Sequence, residues 1–114
     1  MDLATAWPPF GLRLRHDDLE LRPATDDDAL LIASWIPDLL PAEQQHFMPY
    51  LFRSNKADTA EEMARLELQW IWRQRATMSA DDWGLTLTVV VDDEPVGVQG
   101  FQAAEFRVRR TIGS

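Results

Sequence analysis

The sequence contains no cysteine. Disulfides, thiolate zinc sites and a cysteine nucleophile are therefore excluded. It has no apolar run of the roughly 18 residues that a spanning helix needs. The opening Met1-Asp2-Leu3-Ala4-Thr5-Ala6-Trp7 carries neither a basic region nor an apolar stretch of signal-peptide type. Basic residues are scarce, 11 against 19 acidic ones, for a formal charge of -8. A cationic nucleic-acid surface is not expected on such a chain. The expectation is a soluble, cytoplasmic protein with no nucleic-acid or membrane partner. Its acidic surface would serve solubility first and a basic partner second. Histidine is limited to His16 and His46, and no His-Glu-x-x-His spacing occurs, so no metal site is expected. Gly-x-Ser-x-Gly and Walker-type loops are also missing, which leaves hydrolase and nucleotidase readings without support.

What is present is enough for one domain. The 114 residues are 46% hydrophobic and include five Trp and five Phe, so a real core can form. No internal repeat or low-complexity segment interrupts them.

Period-two alternation over Leu12-Arg13-Leu14-Arg15 and Leu19-Glu20-Leu21-Arg22 predicts two short strands around a turn at His16-Asp17-Asp18. Pro23 closes the second strand. Thr25 followed by Asp26, Asp27 and Asp28 predicts a helix start, because the hydroxyl caps and the carboxylates suit the positive end of the dipole. Capping is favoured over metal binding, since consecutive residues point in different directions around a helix. The body of this helix is expected over 29–36, with Pro37 beyond its end.

Pro37, Pro41 and Pro49 punctuate an irregular stretch, with a short helix near 41–47. Its Phe47 and Tyr50 either line a substrate pocket or tuck into the core. Thr59-Ala60-Glu61-Glu62 is a capping box, and the helix it opens is expected to reach about Arg75. At about 100° per residue, Met63, Leu66, Leu68, Trp70, Ile71 and Trp72 form its apolar arc. Glu67 and Gln74 fall inside that arc, where a carboxylate must be paired, at an arc edge or at a site opening.

The β-branched run from Trp83 to Val91 is the strongest strand signal. With the return over Val96-Gly97-Val98-Gln99-Gly100-Phe101, it predicts a hairpin whose loop, around Asp92-Asp93-Glu94-Pro95, has three to five residues. Gly97 and Gly100 point to a bulge or a close backbone approach. Residues 103–110 read as a connector or a continuation of the strand.

The order of these elements, and their residues, resemble a known family. Phe10-Gly11-Leu12-Arg13-Leu14-Arg15, then Leu19-Glu20-Leu21-Arg22-Pro23, then Thr25-Asp26-Asp27-Asp28-Ala29 resemble the opening of GNAT N-acetyltransferases. Within that family they are most similar to the subgroup related to ribosomal-protein N-terminal acetyltransferases. Asp92-Asp93-Glu94-Pro95-Val96-Gly97, followed by Val98-Gln99-Gly100-Phe101, resembles the family's central hairpin. Residues 106–114 resemble the lead into its fourth strand. The likeness runs from about residue 10 onward and rests on order and spacing, since each motif alone is ordinary strand and turn chemistry.

The resemblance implies an α+β fold, with an antiparallel sheet of three or four strands flanked by two or three helices. It implies transfer of an acetyl group from acetyl-CoA to a small-molecule or peptide amine. The family's glycine-rich turn, whose backbone N–H groups hold the CoA pyrophosphate, has no counterpart here. The glycines stand at 11, 84, 97, 100 and 113, and none forms such a cradle. The expected unit is therefore the acceptor-side half of the fold, a truncated domain with little grip on acetyl-CoA and little activity alone. Trp35, Phe47, Tyr50, Glu67 and Gln99 are the candidate amine-binding residues, with Glu105 nearby and His46 as the one candidate base. Thr111, Ile112 and Gly113 would begin the strand that flanks the acetyl-pantetheine arm. An open sheet edge and an apolar face would favour self-association or pairing with a C-terminal half. A subunit of a two-part enzyme and a non-catalytic amine- or peptide-binding module are the alternatives.

Overall fold

The computed structural model describes residues 1–39 and 59–114. Its class is α+β, with a four-stranded antiparallel sheet in the order β1-β2-β3-β4. The sheet is two hairpins joined side by side. β1 (Leu14–His16) and β2 (Leu19–Pro23) form the first, around a two-residue turn in which Asp17 takes a left-handed φ of 53°. Aspartate tolerates that conformation better than most residues.

The first strand starts later than the alternation predicts. Leu3–Ala6 forms a single helical turn, α1, capped by the Asp2 carboxylate, and Pro8–Gly11 forms a 3₁₀ turn. The Leu12 N–H closes that turn by donating to the Pro9 carbonyl at 3.1 Å. Leu12 is thereby unavailable to the sheet.

α2 (Asp26–Leu39) begins at a reciprocal cap: the Asp28 N–H donates to the Thr25 hydroxyl at 3.1 Å, and the Thr25 N–H donates to the Asp28 carboxylate at 3.0 Å. The helix does not stop before Pro37 but carries it into its last turn. Proline at that position deprives the helix of one backbone N–H bond. α3 (Ala60–Ala76) starts as predicted, with the Thr59 hydroxyl accepting from the Glu62 N–H at 3.1 Å. It ends where the Thr77 N–H and hydroxyl both donate to the Arg73 carbonyl.

β3 (Trp83–Val91) and β4 (Glu94–Ala103) form the second hairpin. Its loop is two residues, shorter than the sequence predicts. Asp92 and Asp93 both adopt positive φ, 50° and 64°, the turn geometry whose twist matches the flanking strands. Glu94 and Pro95 are consequently in the strand. Proline is accepted there because β4 is an edge strand that needs no donor on its outer side. The register slips between Val89 and Val90, which pair with Gly97 and Pro95, so Val96 is the bulged residue. A Cβ at Gly97 or Gly100 would meet nothing within 4 Å, so neither marks a close approach. Beyond β4 the chain neither continues the strand nor runs as a plain connector. It forms a short helix, α4 (Phe106–Arg109).

Alternation along the strands separates two faces. Arg22, Thr86 and Thr88 point at α2 and α3, as their bonds to Asp28 and Gln74 show. Leu14, Leu21 and Val89 share a row on the opposite face, and Pro23, Leu87 and Gln99 share another. Between helices and sheet, Ala24, Ala29 and Ile71 form a buried cluster against which Leu68 and Trp70 pack. Ala29 is completely buried, and its small side chain lets α2 lie close to α3.

Candidate functional site

Two polar clusters fix the helices on the sheet. In the first, Asp28 is buried and accepts from the Arg22 guanidinium at 2.8 and 3.3 Å, from the Thr25 N–H, and from the Thr88 hydroxyl at 2.9 Å. Burial pushes the Asp28 carboxyl up, but those donors and the Arg22 charge together outweigh burial. They hold the carboxyl below its ordinary value. In the second cluster, Asp26 accepts from the Trp72 indole at 3.0 Å and from Arg75 at 2.9 Å. Arg75 also donates to the Ala24 carbonyl at 2.9 Å and lies 4.9 Å over the Phe10 ring. Asp26 and Asp28, two of the three aspartates that open α2, thus serve structure, and the described residues contain no cluster suited to a metal ion.

A cleft of ≈ 430 Å³ lies at the end of the sheet where α3 finishes and β4 terminates. One wall is a stripe of α3, Trp70, Arg73, Gln74 and Thr77, spaced at i, i+3, i+4 and i+7 so that they share a face. A second wall is the start of β3 at Trp83 and Gly84 and the end of β4 at Gln102 and Ala103. Arg109, Thr111 and Gly113 complete the rim. Gln74 is held in place by the Thr86 hydroxyl, which donates to its amide oxygen at 2.8 Å. A Cβ at Gly84 would come within 3.0 Å of the Gln74 amide nitrogen, so a side chain there would push on the Gln74 amide.

The rim segment is firmly anchored. The Asp81 carboxylate accepts two bonds of 2.6 Å from Arg107, and its carbonyl accepts from the Phe106 N–H at 2.8 Å. The Arg107 bonds hold the Asp81 carboxyl below the ordinary carboxylate range and raise Arg107 in turn. The Phe106 ring meets Trp83 edge-on, with centroids 6.0 Å apart. Glu105 and Arg110, on either side of α4, both take left-handed φ, 51° and 56°. Such strain costs about 1 kcal/mol per non-glycine residue, and the Asp81 contacts are what hold it.

The residues singled out from sequence are distributed unevenly around this geometry. Thr111 and Gly113 reach the cleft, and Gly113 forms an antiparallel bridge with Gln102 through bonds of 2.8 and 2.7 Å. Ile112, between them, is exposed. Glu67 is buried on α3 in one stripe with Met63 and Ile71, and no buried side-chain polar atom among the described residues lacks a partner. Trp35 is half-buried on α2. Gln99 pairs with Leu87 and so projects from the face opposite α2 and α3; the sheet itself separates it from Trp35 and Glu67. Glu105 is exposed and pairs with Arg109 at 2.8 Å. His16 is exposed in the first hairpin. Phe47, Tyr50 and His46 lie outside the described residues.

Sequence reasoning passed over Trp70, Arg73, Trp83, Gln102 and Arg109. The α3 stripe was a usable signal, because its mixed aromatic and polar spacing departs from a plain core face. No family model matches the chain. Among the described residues, no helix is long and apolar enough to cross a membrane.

Proposed function

We propose that this chain is the acceptor-side half of a GNAT-type N-acetyltransferase, the enzymes that pass an acetyl group from acetyl-CoA to an amine. The observation that carries the reading is the path of the chain. A hairpin, two long helices and a second hairpin lie as one antiparallel sheet with both helices on the same face. After α4, Gly113 returns to pair with Gln102 on the free side of β4, where a next strand would open. The reading draws support from this path because the resemblance implies an antiparallel sheet flanked by helices, with a further strand beginning at Thr111.

In the reaction, a base takes the proton of the amine, whose nitrogen attacks the thioester carbonyl. The carbon–sulfur bond then breaks and the thiolate leaves with a proton. The share of this chain is on the acceptor side, where Trp35 and Glu67 are the candidates among the described residues on the helix face of the sheet. The donor side is weak. None of the five glycines has a positive φ, and none opens a helix as a pyrophosphate cradle does. Much of the rate in such a reaction comes from positioning the donor, so the chain alone is expected to be inactive. The outer edge of β4, paired among the described residues only at Gln102, favours association with a second copy or with a C-terminal half.

Calorimetric titration with acetyl-CoA tests the reading. The expected outcome is no binding by the 114-residue chain, and binding once the C-terminal half of a GNAT relative is added. Saturable binding by the chain alone would overturn the account of the donor side. Failure of any such half to restore binding would overturn the acetyltransferase reading.

A further inference from the structure

We propose that the cleft between the end of α3 and the ends of β3 and β4 binds a small anion carrying a planar ring. Its volume, ≈ 430 Å³, falls within the range of roughly 300–1,000 Å³ typical of small-molecule sites.

The charge of the lining is the first argument. The chain has 19 acidic and 11 basic residues, yet the cleft lining contains Arg73 and Arg109 and not one Asp or Glu. In a protein of net charge -8, a concavity with only cations selects negative ligands by field as well as by contact. Guanidinium groups match carboxylate and phosphate oxygens in pairs. Arg73 projects from α3 and Arg109 from α4, so the two cations reach the cleft from separate elements. Arg109 currently pairs with Glu105, but that bridge is solvent-exposed on both sides, 65% and 62%. An exposed pair of this kind contributes little, so a ligand oxygen can replace the carboxylate.

The aromatic walls are the second argument. Trp70 and Trp83 both line the cleft and are only partly buried. Trp83 is fixed by its edge contact with Phe106. Indole faces give a planar ring a stacking surface at small entropic cost. Gln102 and Thr77 supply neutral hydrogen-bonding groups on the same lining. The cleft therefore offers both halves of the recognition, charge and ring, on anchored elements. The inference is independent of the acetyltransferase reading and needs none of that reaction's chemistry.

Phenyl phosphate is a suitable probe because it joins both features without being a piece of CoA, and phenol and inorganic phosphate each carry one. Titration of the 114-residue chain, followed by the indole N–H resonances, should show saturable binding of phenyl phosphate with shifts at Trp70 and Trp83. Phenol and phosphate alone should each bind more weakly. The double variant R73Q/R109Q should weaken binding by about tenfold or more. R65Q removes one charge from the exposed face of the same helix and should leave binding unchanged. The indole resonances of each variant also report whether the fold persists. Absence of saturable binding, equal loss in R65Q, or unchanged affinity in R73Q/R109Q would overturn the proposal.

Discussion

Asp28 is the residue on which most of the polar interior depends. It joins β2 through Arg22, β3 through Thr88 and the start of its own helix through Thr25. Asp28→Asn keeps the shape but removes the charge that Arg22 faces, leaving a half-buried guanidinium without its counter-ion. The expected cost is about 2 kcal/mol, measurable as a lower urea midpoint with an unchanged slope. The pH dependence has a definite sign. The folded Asp28 carboxyl lies below its ordinary value, which is about 3.9 for an unfolded aspartate. Its contribution is complete above that value and is lost as pH falls through the folded one. Acid unfolding of the parent should therefore steepen below about pH 4, and Asp28→Asn should remove that part of the slope. The cap at Thr25 was legible from sequence because capping is local. The reach of Asp28 to Thr88, 60 residues away, was not, because nothing in the sequence spacing links them.

At the scale of elements, legibility followed the range of the forces involved. β2, β3, the start of α3 and the start of α2 were read from alternation and hydroxyl caps, and each begins or ends within a residue or so of its expected place. The second hairpin shows where that reading fails. The loop was expected at three to five residues because Asp92-Asp93-Glu94-Pro95 has the composition of a longer turn. Instead the β3 and β4 ladder extends to Val91 and Glu94 and compresses the loop to two aspartates in left-handed conformations. Asp93→Gly should relieve the strain at the second position and raise the unfolding temperature. The net gain is about 0.5 kcal/mol, since glycine also loosens the unfolded chain. A fall in stability would mean that the Asp93 side chain itself secures the turn. α4 was invisible for a different reason. Its four residues have no helical period of their own, and Asp81, 26 residues before Arg107, supplies the anchor. The cleft was only half legible: Thr111 and Gly113 came from the family resemblance, whereas the tryptophans and arginines required knowing which ends of the sheet and helix meet.

For the whole molecule, the open side of β4 governs association. Val96 and Val98 are exposed on it, at 57% and 38%. Among the described residues, only Gly113 covers part of that edge. Sedimentation of the chain at micromolar concentrations should show self-association, and Val98→Lys should shift it toward monomer, because an edge lysine opposes strand-to-strand docking. A parent that is monomeric across the range would remove the edge as an interface.

The division of the sheet has a further consequence. β1, β2 and α2 come from the first part of the chain, and α3, β3 and β4 from the rest. The two parts meet along the β2–β3 strand seam and where α2 packs on α3 around Ala24, Ala29 and Ile71, reinforced by Thr88 to Asp28 and by Trp72 and Arg75 to Asp26. Among the described residues, each part contributes a hairpin and one long helix. Residues 1–58 and 59–114, expressed separately and mixed, should reassemble the Arg22–Asp28–Thr88 cluster without a peptide bond to join them. A reporter split at that point would recover its signal only when the two pieces dock.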